Sequence, residues 1–221
     1  MMRIARILSL LLAIGLCCAA TVQAQQSTSA VPSKYYASVD AGASLGHSSD
    51  KFIGAEAGMH WRDMWDFFLE GGHIGNAATS DFDSRGTLIA NAVGATASSV
   101  QKVNFANIGV RYHSPIAERW DGYVMLGGGF VRISSETVLS VNGTAVDPAS
   151  LGVQFGADLN GSVSTGDIVF GVGATRDFMD RYYVDLSYRY GRTFTKNDSD
   201  GNPIVPGLNT QRLQVGVGIR F

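Results

Sequence analysis

Histidines are the side chains of this sequence best suited to acid–base chemistry near neutral pH: His47, His60, His73 and His113. A hydrolytic site would need a nucleophile and an orienting acid within hydrogen-bond reach of one of them. His73 is followed by Ser80 and Asp81, and His113 by Ser114, but neither spacing forms a recognisable nucleophile–base–acid set. We therefore interpret the histidines as polar residues at strand ends and predict that the protein is not an enzyme.

Charged residues recur between apolar or small neighbours. Glu56 lies between two alanines, and Arg189 lies between two tyrosines. In an extended strand, such a charge lies on the face opposite to its neighbours. We predict that charges of this kind meet inside a closed sheet as a network of Glu56, Glu70, Arg111, Asp185, Arg189 and Arg212.

The segment Gln211–Phe221 shows most clearly the alternation of apolar with polar residues that would place such charges on one face of a strand. Its apolar residues occupy every second position and are separated by polar residues or glycine: Leu213, Val215, Val217, Ile219 and Phe221. An extended strand would then have one wholly apolar face. A tilted strand crosses a bilayer in about 9 to 11 residues, which this segment can supply. An edge strand of a soluble sheet is the alternative interpretation.

Seven earlier segments repeat this pattern and predict strands at Tyr35–Leu45, Ile53–Trp61, Phe67–Gly75, Val100–His113, Gly122–Ile133, Ser164–Thr175 and Tyr182–Phe194. Three long polar segments predict loops: Asn76–Ser99, Ser134–Val163 and Thr195–Asn209. We expect Phe82 to be exposed in the first loop and Asn142-Gly143 to form a hairpin tip in the second. Long loops thus alternate with short turns, which is typical of a transmembrane barrel with both termini periplasmic and the long loops extracellular.

Aromatic residues support this arrangement. All three tryptophans fall near the predicted short turns. We expect a membrane-interface girdle at this end of the barrel. The residues that map there are Tyr35, Tyr36, Trp61, Trp65, Phe67, Tyr112, Trp120, Tyr123, Phe178, Tyr182, Tyr183 and Phe221.

The terminal strand resembles the assembly signal of bacterial outer-membrane barrels. In addition, V-D-L-S-Y-R-Y (Val184–Tyr190) and N-I-G-V-R-Y (Asn107–Tyr112) are similar to strands of the small OmpA-like and opacity-type families. The resemblance implies an all-β, eight-stranded antiparallel up-and-down transmembrane barrel over residues 25–221. It implies as partners outer-membrane lipid and lipopolysaccharide, the barrel assembly machinery, periplasmic chaperones, and an extracellular or host ligand at the long loops. Some small barrels modify lipid A, but this sequence lacks their His-x-Ser-Asn motif.

Two functions remain open for such a barrel. Eight strands enclose a lumen just wide enough for side chains, so its charges must be paired, and we predict a structural network rather than a path for ions. The protein would then serve envelope structure or surface contact such as adhesion. The alternative is a narrow channel for small solutes or hydrophobic molecules, which conductance measurements would reveal.

The N-terminal segment Met1–Ala24 has the composition of a cleaved secretory signal. Arg3 and Arg6 precede an apolar run, and the small residue Ala24 suits the cleavage site. Cys17 and Cys18 lie within this segment, so the mature chain would have no cysteine and could form no disulfide. We also predict no cofactor and no metal site. Loss of the two arginines changes the formal net charge from -2 to -4, which disfavours nucleic acid as a partner.

Overall fold

Alternation of apolar and polar residues produces eight long strands. The computed structural model describes residues 33–156, 158–178, 181–197, 203–205 and 207–221; the predicted signal peptide lies outside them. The strands are β1 Tyr35–Leu45, β2 Lys51–Arg62, β3 Trp65–Ile74, β4 Thr96–Ala117, β5 Trp120–Val141, β6 Gly161–Asp177, β7 Tyr182–Thr193 and β8 Asn209–Arg220.

The strands form a closed antiparallel ring. Each pairs with its neighbour in the sequence, and β1 pairs with β8, as in the cross-strand pair Val39 and Val217. Backbone hydrogen bonds of 2.9 Å in both directions between Tyr35 and Phe221 extend this seam to the end of the chain. The predicted eight-stranded barrel is therefore confirmed.

The outward faces of the strands are apolar and the inward faces are largely polar. Val39, Ile53, Leu69 and Ile108 are 57% to 68% exposed, whereas the intervening inward side chains are mostly buried. This distribution is the reverse of that in a water-soluble protein, in which large apolar surfaces are covered. Among the described residues, no helix has the length and hydrophobicity needed to cross a membrane.

Exposed aromatic residues pack together at the short-turn end. The rings of Trp65 and Tyr112 are 5.1 Å apart, and those of Tyr35 and Phe221 are 6.2 Å apart. The other such contacts join Trp61 to Phe67 and Phe178 to Tyr182. Three tyrosines expected in the girdle instead point into the barrel, because their positions alternate with outward ones: Tyr36, Tyr123 and Tyr183.

A helix lies within the first predicted loop. This helix, α1, spans Ser80–Ala92, and the Thr79 hydroxyl caps it by accepting a hydrogen bond from the backbone N–H of Phe82. Acidic residues in its first turn favour the positive end of the helix dipole. The prediction of a loop over Asn76–Ser99, with ends that extend the flanking strands, was therefore wrong for Ser80–Ala92, because serine, aspartate and glycine mask a weak helical pattern; β4 does extend into this segment, from Thr96.

Strands β4 and β5 continue beyond their neighbours at the long-loop end. The last cross-strand pair between β4 and β5 at this end is Thr96 with Ser140. The last pair between β3 and β4 is Ile74 with Val103. The seven residues of β4 before Val103, from Thr96 to Lys102, extend this strand pair by roughly 23 Å. The turn at Asn142-Gly143, with φ of 52° and 82°, confirms the predicted tip. A short strand, Thr144–Val146, then pairs back onto β5, and a 3₁₀ turn, Pro148–Leu151, follows.

The helix and the extended hairpin share an apolar core outside the barrel; we call residues 78–97 and 137–159, without the undescribed residue 157, the cap. One cluster joins Ala78, Phe82 and Leu159, and another joins Ala90, Ala95 and Leu139. Phe82 is 1% exposed, so its predicted exposure was wrong. The third predicted loop contains a short two-stranded pair, Lys196–Asn197 with Pro203–Val205.

Candidate functional site

Two glutamates lie side by side on one wall of the barrel interior, and two arginines lie side by side on the opposite wall. Glu56 on β2 is directly opposite Glu70 on β3, and Arg189 on β7 is directly opposite Arg212 on β8. Each arrangement would be destabilising alone, because like charges face each other across adjacent strands. The two walls therefore need each other for neutralisation.

Arg189 joins the two glutamates across the lumen. Its Nη2 donates to Glu56 Oε2 at 2.8 Å, and its Nη1 lies 2.8 Å from Glu70 Oε1. Arg212 Nη1 donates to the same Glu70 oxygen at 2.8 Å, and Arg111 Nη2 donates to Glu56 Oε1 at 2.5 Å. All five side chains are buried. They form one alternating ion chain, Arg111–Glu56–Arg189–Glu70–Arg212, which spans the lumen.

Asp185, the sixth residue of the predicted network, lies in the same interior without joining this chain. Its Oδ1 accepts a hydrogen bond of 3.0 Å from the hydroxyl of Tyr123. The Arg111 guanidinium lies 4.0 Å from the centroid of that tyrosine ring. Among the described residues, Asp185 has no ion pair within 4.0 Å. Tyr123 therefore contacts both Asp185 and Arg111.

Inward aromatic rings lie over glycines of neighbouring strands. Tyr36 is opposite Gly58, and Tyr183 is opposite Gly218. A Cβ atom at either glycine would overlap the tyrosine ring. The absent side chains thus leave room for the aromatic rings in the narrow lumen.

An apolar cluster fills the lumen on the long-loop side of the ion chain. It consists of Phe52, Ile74, Val103, Phe105, Val131, Ile133 and Leu208. The Arg212 guanidinium lies 4.2 Å from the ring centroid of Phe105 and so links the cluster to the ion chain. The cavity beside them measures about 10 Å³, on the order of one water molecule. The sequence pattern does not predict this cluster, because its strand residues are apolar side chains at inward positions, which are mostly polar or glycine further along the same strands.

A different group of side chains lies at the short-turn mouth. His60 Nδ1 is 2.5 Å from Asp66 Oδ1, and His113 Nε2 is 3.3 Å from the same oxygen. They border an open cavity of about 410 Å³. The group is absent from the sites predicted from the sequence, although the short turn between β2 and β3 could have indicated that His60 and Asp66 face each other.

The two remaining histidines have other hydrogen-bond partners. His73 Nδ1 is 2.9 Å from Asn104 Oδ1, and His47 Nε2 is 2.9 Å from Asp83 Oδ2. Ser80 and Asp81, the partners considered for His73 from the sequence, instead begin α1.

The predicted assembly residues lie on the outward face of the seam. Leu213, Val215, Val217, Ile219 and Phe221 are 36% to 62% exposed. They continue the apolar band around the barrel, and their role in assembly stays a prediction.

The sequence model of the family described as "Outer membrane protein beta-barrel domain" matches residues 9–221. The fold is similar to that of neisserial surface protein A, with 11% identity and a TM-score of 0.52, covering 85% of this chain and 97% of that one. A major outer membrane protein from Thermus thermophilus has 13% identity, a TM-score of 0.48 and coverages of 85% and 99%. Ail, the attachment invasion locus protein of Yersinia pestis, has 14% identity, a TM-score of 0.45 and coverages of 85% and 97%. No curated protein matches the sequence.

Proposed function

Because the chain belongs to the outer membrane protein beta-barrel family, we propose that it serves in the bacterial outer membrane as a non-enzymatic barrel with a closed lumen. Its cap contributes to envelope structure or contacts molecules at the cell surface. The hydrogen-bond partners of His47 and His73 give no support to a lipid A-modifying activity.

The filled lumen is the observation that carries this proposal. Arg189 is 1% exposed and connects both glutamates, so an ion crossing the barrel would have to break a buried ion pair. On the long-loop side, the apolar cluster around Phe52 and Phe105 offers no ligand to an ion. Removing charges from water without new partners is strongly unfavourable. A narrow channel is therefore the second candidate.

Planar bilayer recordings test the closed lumen. The wild-type protein, refolded without its signal peptide, is expected to give no unitary conductance, with an open porin as the positive control in the same bilayers. Recurrent conductance steps of one size from the refolded monomer would support the channel instead.

We place the termini and short turns in the periplasm and the cap outside the cell. Lipid and lipopolysaccharide then surround the apolar band, the assembly machinery and periplasmic chaperones engage the C-terminal strand, and the cap faces an extracellular or host ligand. The pronounced difference between the two ends supports this orientation, since long loops of such barrels are extracellular.

Cysteine labelling of intact cells tests the orientation, because the predicted mature chain has no cysteine. Ala145 and Glu118 are both exposed and lie at opposite ends of the barrel. A membrane-impermeant maleimide is expected to label Ala145→Cys in intact cells and Glu118→Cys only after lysis. The reverse result would invert the proposed orientation.

A further inference from the structure

We propose that the short-turn mouth of the barrel is a binding site for a divalent transition-metal ion of the Zn²⁺ class, formed by His60, Asp66 and His113. These residues come from adjacent strands, β2, β3 and β4. His60 and Asp66 are cross-strand partners, and the backbone N–H of His113 donates to the carbonyl of Met64 at 2.9 Å. The paired backbone therefore sets the relative positions of all three side chains.

The spacing of the donor atoms suits a single ion. One nitrogen of each histidine and one Asp66 oxygen all lie within 4.8 Å of one another. Ligands at 2.0–2.1 Å on a tetrahedral ion are about 3.3 Å apart. The 3.3 Å between His113 Nε2 and Asp66 Oδ1 matches that value, and the 2.5 Å between His60 Nδ1 and Asp66 Oδ1 needs to widen by less than about 1 Å. The two imidazole nitrogens, which lie within 4.8 Å of each other, would also have to approach to about 3.3 Å.

Hydrogen bonding within the group is incomplete without an ion. Both imidazoles approach the same Asp66 oxygen. His113 Nε2 is shielded from solvent, yet it has no partner with hydrogen-bond geometry among the described residues. Buried polar atoms are normally satisfied by a partner, and a cation could satisfy the lone pair of this nitrogen. A cation would accept a lone pair from each of the three donor atoms.

Arg111 is the positive charge that most directly opposes a metal ion here. Its guanidinium is directed toward Glu56 and lies over the ring of Tyr123. The mouth contains three further acids and two further arginines: Asp63, Asp121, Asp177, Arg62 and Arg220. The charge around the site therefore does not exclude a dication.

The donor set indicates the class of metal. Two imidazoles and one carboxylate suit Zn²⁺, Cu²⁺, Ni²⁺ or Fe²⁺, whereas Ca²⁺ and Mg²⁺ prefer sites made only of oxygen. Three protein ligands leave a coordination position free, and the group borders the 410 Å³ cavity. The site therefore has the ligand number of an open, exchangeable site rather than of a closed four-ligand structural site. It rests on the barrel fold and is independent of the proposed surface role.

Metal titration of the untagged, chelator-treated mature barrel in detergent tests this site. Zn²⁺ is expected to bind with one equivalent in calorimetry, and Co²⁺ to produce visible absorption bands that Zn²⁺ abolishes. His113→Gln should weaken binding at least about tenfold, since even outer-shell changes weaken metal binding by that amount. His47→Gln is the matched control, because it removes a histidine–aspartate pair at the other end of the barrel and should leave binding unchanged.

A chemical measurement on the wild type keeps the test independent of variant folding. Zn²⁺ should protect His60 and His113, but not His73, from modification by diethylpyrocarbonate. If Zn²⁺ changed the modification of none of the three histidines, the proposal would be overturned. His60, Asp66 and His113 would then be a hydrogen-bonded cluster without a metal. Equal Zn²⁺ affinity in the wild type and a folded His60→Gln/His113→Gln variant would overturn it as well.

Discussion

Arg189 is the residue that holds the two walls of the barrel interior together. It touches Glu56 and Glu70, which would otherwise face each other as like charges on adjacent strands. Arg111 and Arg212 each reach only one of these glutamates. Loss of Arg189 would leave each glutamate with one arginine partner, but it would remove the guanidinium that lies between the two facing carboxylates and links the two walls.

The first prediction is that Arg189→Met destabilises the barrel. Removing one partner of a buried ion pair typically costs about 3 to 5 kcal/mol, and here the substitution removes two contacts of 2.8 Å and leaves two buried carboxylates facing each other across adjacent strands. The midpoint temperature of the heat-induced mobility shift on electrophoresis should fall, while bilayer conductance stays negligible.

Arg192→Met is the control for this substitution. Arg192 lies on the same strand but is exposed, so its loss should change the midpoint little. An unchanged midpoint together with altered conductance in Arg189→Met would contradict a structural role and indicate a hydrated path.

At the scale of the strand, an inward tyrosine ring lies over a glycine of the neighbouring strand. The Tyr36 ring occupies the place that a side chain at Gly58 would take, and the Tyr36 hydroxyl then donates to Glu56 at 3.0 Å. The missing Cβ on β2 thus determines where the ring on β1 lies and how it supports the ion chain.

The second prediction is that Gly58→Ala destabilises the barrel by about 1 to 3 kcal/mol, as expected when a methyl group is forced into a filled site. Gly71→Ala is the matched control, because the nearest atom to its new Cβ would be a backbone oxygen at 3.6 Å. Urea-dependent unfolding in detergent or lipid measures both variants. Equal destabilisation would show that the Tyr36 ring does not require the space over Gly58.

Strands and helices could be predicted where the apolar residues recur with a clear period, and not where that period is weak. The strands and the inward position of Glu56 or Arg189 could be predicted, because a period of two determines the face of every residue. Helix α1 could not, because its apolar positions are sparse and interrupted by Gly86. The partners within the ion chain were also beyond prediction, since they depend on which strands face each other across the lumen. Asp185 illustrates this limit: the period indicated that it points inward, but gave no sign of its bond to Tyr123.

On the scale of the whole molecule, closure of the ring depends on the last strand. β8 pairs with both β1 and β7, and Phe221 ends the seam with hydrogen bonds to Tyr35. The strand that completes the barrel therefore also presents the exposed terminal aromatic residue.

The third prediction is that Phe221→Ala lowers the amount of folded protein in the outer membrane, because it removes the end of the proposed assembly signal. Phe178→Ala is the matched control, since Phe178 is another exposed aromatic residue at the same end of the barrel. Quantifying heat-modifiable protein in outer-membrane fractions compares the two. Similar yields would argue against a special role for Phe221.

The extended β4–β5 hairpin has a mechanical consequence. The turn at Asn142 is continuous with β5, which runs the length of the barrel wall and is paired with β4 on one side and β6 on the other. A tensile load applied to the tip along the barrel axis would act on these ladders in shear, so that many hydrogen bonds share the force rather than break one after another. The hairpin would thus transmit tension from the cap into the barrel wall as a stiff tether, rather than as a compliant loop.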